Sequence, residues 1–91
     1  MRELKPFLKA IADVNRLAIV QELSREDGLN VLDITDRLML SQPLTSWHLL
    51  ILKRAHLVTP TYVGRQHVYR LNHARLQEYR EMLDKVLSFE L

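Results

Sequence analysis

Apolar residues recur at Leu4, Phe7, Leu8 and Ile11, the i, i+3, i+4, i+7 spacing of one helix face, which predicts an amphipathic helix over residues 3–12. Asp13 then offers a short carboxylate as N-cap to a second helix carrying Leu17, Val20 and Leu23. That helix is expected to stop near Gly28, where glycine tolerates a left-handed backbone, and to release a short extended piece over Leu29–Leu32. Asp33 is the expected cap of a third, shorter helix with Ile34 and Leu38. Ser41 caps the next, and Pro43 fits its first turn, where a missing amide costs little. Along this fourth helix Thr45, His48, Leu49 and Leu52 share one face, while Pro43, Ser46, Trp47, Leu50 and Arg54 share the other.

After His56 the period changes. The runs LVTPTYV and QHVYRL flank Gly64-Arg65, which reads as a β-hairpin with Pro60 confining its strand to an edge. Asn72 caps a last helix, expected over residues 73–90, with Leu76, Tyr79, Leu83 and Val86 at near-heptad spacing. Only a short turn parts the third and fourth helices, so the pair reads as a helix-turn-helix. The predicted fold is therefore mainly α with a small β-hairpin, an α+β winged helix-turn-helix of order α1-α2-(short β)-α3-α4-hairpin-α5. It forms one domain over residues 1–91.

The formal net charge of +2 is informative only by position. Residues 1–36 hold five Lys/Arg against seven Asp/Glu, and residues 78–91 hold two against four, so each end is −2. From Arg37 to Gln77 there is no acidic residue, but there are six cations (Arg37, Lys53, Arg54, Arg65, Arg70 and Arg75) and all four histidines. A segregated positive field of this kind fits a polyanion, foremost double-stranded DNA. The absence of cysteine excludes disulfides, thiolate metal sites and a cysteine nucleophile. The opening MRELKPFLKA has no signal-peptide core and no long apolar run occurs, so an unexported, cytoplasmic protein with no membrane partner is expected. With Gly28 and Gly64 isolated and no carboxylates in the central stretch, no catalysis and no cofactor are expected.

The positive stretch coincides with the fourth helix and the hairpin. A helix enters the major groove and reads base edges from its N-terminal residues. The candidate DNA-contacting set is Ser41, Gln42, Pro43, Leu44, Ser46, Trp47, Lys53, Arg54, Arg65 and Gln66. Gln42 suits bidentate bonding to adenine, Ser46 bonds in either sense, and the helix start at Ser41 favours a phosphate. Arg65 is assigned to the minor groove or backbone, and Lys53, Arg54 and Arg70 to phosphate positioning.

Four segments, FLKAIADVNRLAIVQEL, LDITDRLMLSQPLTSWHLLIL, AHLV and GRQHVYRLN, together resemble the ArsR-type winged-helix repressors over nearly the whole chain. The resemblance implies a cytoplasmic homodimer that represses transcription from operator DNA and is released by a small-molecule or protein effector. It also implies a dimer contact through the first and last helices, for which Leu4, Phe7, Leu8, Ile11, Leu76, Tyr79, Leu83 and Val86 are the candidates. Where the family's metal sensors carry a cysteine pair, this chain has Asn30 and Leu32, and its last helix has no histidine beyond His73, so no metal site is expected. Met39 and His56 replace the family's turn glycines and are expected at left-handed φ. Tyr62 replaces a common wing arginine. Trp47 and Leu50 replace polar or basic groups on the reading face, leaving open an alternative: an apolar anchor by which a winged-helix module binds another protein.

Overall fold

The computed structural model describes residues 2–88. Helix α1 spans Leu4–Ile11 and α2 spans Val14–Arg25, with the Asp13 carboxylate accepting from the Arg16 amide at 3.1 Å. Strand β1 (Leu29–Asn30) leads into α3 (Val31–Leu38), and α4 follows over Gln42–Arg54. Strands β2 (Val58–Val63) and β3 (Gln66–Leu71) form the hairpin, and α5 runs over His73–Leu87. The order is that of a winged helix-turn-helix. The expected end of the last helix at residue 90 lies outside the described residues.

Local chemistry accounts for most boundaries. Ser41 Oγ accepts from the Leu44 amide at 3.3 Å and Asn72 Oδ1 from the Arg75 amide at 3.1 Å, starting α4 and α5 as expected. The start of α3 differs. Its cap is Asn30, which accepts from the Asp33 amide at 2.8 Å, so Val31 and Leu32 are helical and the strand shrinks to two residues. Helix α2 ends at Arg25 on an extended Glu26, so Gly28 does not close it. Gly28 (φ +106°) instead lets β1 approach β3, since a Cβ there would lie 2.8 Å from Val68 Cγ1.

The three strands form an antiparallel sheet of order β1-β3-β2. Pro60, paired with Tyr69, lies on the outer strand, where its missing N–H breaks no ladder. Val63 pairs with Gln66 across the two-residue loop, where Gly64 has φ +63° and Arg65 a negative φ, the pattern of a type II′ turn.

One core joins Leu4, Phe7, Ile19, Leu23, Ile34, Leu49, Leu52, Leu57, Leu71 and Tyr79. Tyr79 stacks on Phe7 with ring centroids 4.7 Å apart and donates its hydroxyl to Ala55 O at 3.1 Å, locking α5 onto α1 and the end of α4. This corrects part of the expected dimer surface. Leu4, Phe7 and Tyr79 are buried inside the protomer and have no area left for a partner. Of the eight candidates Leu8 is exposed, and Ile11, Leu76, Leu83 and Val86 are half-buried.

Candidate nucleic-acid interface

Helix α4 is held from behind. Thr45, fully buried, donates to Ser41 O at 3.1 Å and accepts from Thr35 Oγ1 at 2.9 Å, so the two helices of the helix-turn-helix share a buried polar joint. His48, also buried as expected, has Nδ1 3.2 Å from Arg16 Nη1; a guanidinium only donates, so Nδ1 accepts. Arg16 also donates from Nε to Ala10 O at 2.6 Å and from Nη2 to Lys9 O at 3.2 Å, so it joins the end of α1 to the back of α4. Chain position alone did not single out Arg16.

Two left-handed residues bound α4 and the turn before it. Met39 has φ 53° with Met39 N–H bonded to Asp36 O and Leu40 N–H to Thr35 O; His56 has φ 61° with His56 N–H bonded to Lys53 O and Leu57 N–H to Leu52 O. Both are Schellman closures made without glycine.

On the outward face of α4, Ser41, Gln42, Pro43, Leu44, Ser46, Trp47, Lys53 and Arg54 are all exposed. Gln42, Ser46 and Lys53 share one stripe of the helix, with Trp47 and Arg54 on its flank. At 1.5 Å per residue, Gln42 and Lys53 stand roughly 16 Å apart along the helix. The candidate set therefore divides. Gln42, Arg65 and Gln66 line one cleft of about 240 Å³ with Asn30 and His67, where the start of α4 meets the wing, whereas Lys53 and Arg54 belong to the far end. Asn30 Nδ2 donates to Gln66 Oε1 at 3.3 Å, tying the start of α3 to the wing. Asn30, at the position of a metal-sensor cysteine in the family, here caps α3 and braces the wing.

The six central cations are not equivalent either. Arg37 pairs with Glu22 (3.5 Å) and Glu26 (3.1 Å), Arg70 with Asp27 (3.6 Å), and Arg75 with Glu78 (2.8 Å). The Glu26 carboxylate bonding Arg37, and Glu78 bonding Arg75, raise both guanidinium pKa values above the ordinary one. Lys53, Arg54 and Arg65 make no ion pair among the described residues. The wing also carries Tyr62, 70% exposed, with its ring 4.0 Å from that of His67.

Residues 13–59 match the profile of the family described as bacterial regulatory protein, arsR family. The chain belongs to that family. It is 36% identical over 83 residues to an arsenical resistance operon repressor of Staphylococcus xylosus, covering 91% of this chain and 79% of the relative. It is 47% identical over 65 residues to the HTH-type transcriptional repressor SmtB of Mycobacterium tuberculosis, covering 71% of this chain and 47% of the relative. Among solved structures, an ArsR-like transcriptional regulator from Rhodococcus sp. RHA1 superposes with a TM-score of 0.85 at 29% identity, covering 96% of this chain and 81% of that one. This arsR-family chain is thus a DNA-binding regulator of transcription rather than an enzyme. Among the described residues, no group of three or more His, Asp or Glu could hold a metal ion, and no helix is long and apolar enough to cross a membrane.

Proposed function

We propose that the protein is a cytoplasmic homodimeric repressor that recognises a palindromic operator, without a metal, and that an effector releases it. The observation that carries this reading is the convergence of Gln42, Arg65 and Gln66 on one cleft, beside an α4 face whose side chains are all free to meet DNA. Gln42 reads a base, Arg65 binds backbone or minor groove, and the positive N-terminal end of α4 at Ser41 meets a phosphate. Lys53 and Arg54 contact phosphates farther along. The dimer contact draws on Leu8 of α1 and on Leu76, Leu83 and Val86 of α5, exposed or half-buried apolar groups on the terminal helices. A two-fold dimer sets its reading helices about one DNA turn apart. Footprinting of the promoter of its own operon at low salt tests the reading. Two protected half-sites related by a dyad are expected, and absence of protection overturns it.

A second reading has one observation in its favour: Trp47 is 54% exposed, with Leu44 and Leu50 beside it on the same helix. An exposed tryptophan with aliphatic neighbours is a fitting anchor for a protein partner. Trp47→Ala separates the two. Unchanged DNA affinity with an altered assembly state favours the protein-binding reading; weakened DNA binding favours the first.

A further inference from the structure

A cleft of about 520 Å³ lies between α1 and the C-terminal end of α4, within the usual size range of small-molecule sites. Arg2, Lys5, Lys9, Arg16 and Arg54 line it, and no acidic residue does. Pro6, Ile51 and Ala55 supply apolar wall. Counted along the chain, residues 1–36 carry −2, yet α1 gathers its cations on one side by i, i+4 spacing and turns them to the end of α4. Arg2, Lys5, Lys9 and Arg54 make no ion pair among the described residues. Five like charges around one hollow repel one another, and an anion entering it relieves that repulsion. Leu8, two residues from Pro6, projects from the opposite side of α1, so the cleft is distinct from the dimer contact proposed above.

We propose that this cleft binds an organic anion with a short apolar tail, the anionic head among the cations and the tail against Pro6, Ile51 and Ala55. The mixed lining decides the class: a bare inorganic anion leaves the apolar wall wet, and a neutral hydrocarbon leaves the charges unanswered. Arg16 gives the occupied cleft a route to the reading helix, because the guanidinium lining it also bonds His48 Nδ1 at 3.2 Å on α4. An anion drawing on Arg16 competes with that bond, and only such differential contact lets a ligand bias a helix position. The site stands independently of the DNA reading; its role as the effector site rests on that reading.

Titration of the whole chain with octyl phosphate, followed by calorimetry and amide chemical shifts, tests the site, with octanol and inorganic phosphate as probes of tail and head alone. Saturable binding of octyl phosphate, with shifts at Lys9, Ile51 and Ala55, is expected, and both single-feature probes bind at least ~10-fold more weakly, about 1.4 kcal/mol. The double variant Lys5→Gln/Lys9→Gln, both positions exposed and outside the candidate DNA set, should fold normally, keep its DNA affinity and lose octyl phosphate affinity by at least ~10-fold. The His48 ring resonances should move with octyl phosphate in the wild type. Inorganic phosphate binding as tightly as octyl phosphate, no binding at all, or an unchanged double variant overturns the site. Loss of DNA affinity in the double variant assigns these cations to the DNA backbone instead. Octyl phosphate binding with an unmoved His48 overturns the coupling alone. None of these ligand readouts requires DNA, so a failed footprint leaves them decisive.

Discussion

Met39 holds φ 53° with a side chain 91% exposed, so its backbone carries left-handed strain and its side chain gives almost no packing in return. Met39→Gly should therefore raise stability by about 1 kcal/mol, measured by urea unfolding, with no change in fold. His56 (φ 61°) has the same geometry, and both were legible because a family glycine position was visibly occupied by something else. Asp13 offers a second test. The Arg16 amide, aided by the nearby Arg16 guanidinium, holds its carboxyl below the ordinary value of 3.8 despite some burial. A lowered folded-state pKa means the carboxylate's contribution is complete above the unfolded value and fades as pH falls through the folded one. Asp13→Asn keeps an acceptor for the cap but removes the charge. It should cost roughly 0.5 kcal/mol at neutral pH, and the gap to wild type should narrow below about pH 4 in denaturation curves taken across pH.

Among elements, the proposed DNA contacts divide between α4 and the wing. Gln42→Ala should cost ~1–3 kcal/mol on one operator and relax a single base position, read by binding to a set of operator variants. Arg65→Ala should weaken all sequences alike and lower the salt slope by about one; a loss confined to some sequences would contradict its backbone role. The sequence made the caps at Asp13, Ser41 and Asn72 legible, because each is a short acceptor placed just before a helical period. It misled at α3, where Asn30 and Asp33 are both competent caps and the apolar run Leu29–Leu32 fits strand or helix equally. Only the pairing of Leu29 with Tyr69 and Asn30 with Val68 fixes where the strand stops. Periodicity likewise shows which side of α1 and α5 is apolar, not what covers it. Phe7 and Tyr79 cover each other, so neither has surface left for a partner.

At the scale of the whole molecule, the positive stretch read from the sequence is thinner than its count. Arg37 and Arg70 are paired by carboxylates brought from α2 and the α2–β1 loop, contacts that linear charge order cannot reveal, while Arg75 pairs with Glu78 one turn on along α5. Three cations per protomer on α4 and the wing are left without an ion pair among the described residues, so the proposed dimer would release counterions from about six phosphates. The slope of log affinity against log salt should then be roughly −5; if all central cations took part it would be near −11. Measuring DNA binding across salt concentrations decides between the two.

Pro60 lies midway along β2, the strand left open at the sheet's edge. Because β3 takes one side of that strand, the proline nitrogen, which has no hydrogen to give, faces the open side. A second wing laid against it would meet a gap in the row of donors. The most strand-rich part of the molecule is thus a poor template for fibril growth along its open edge.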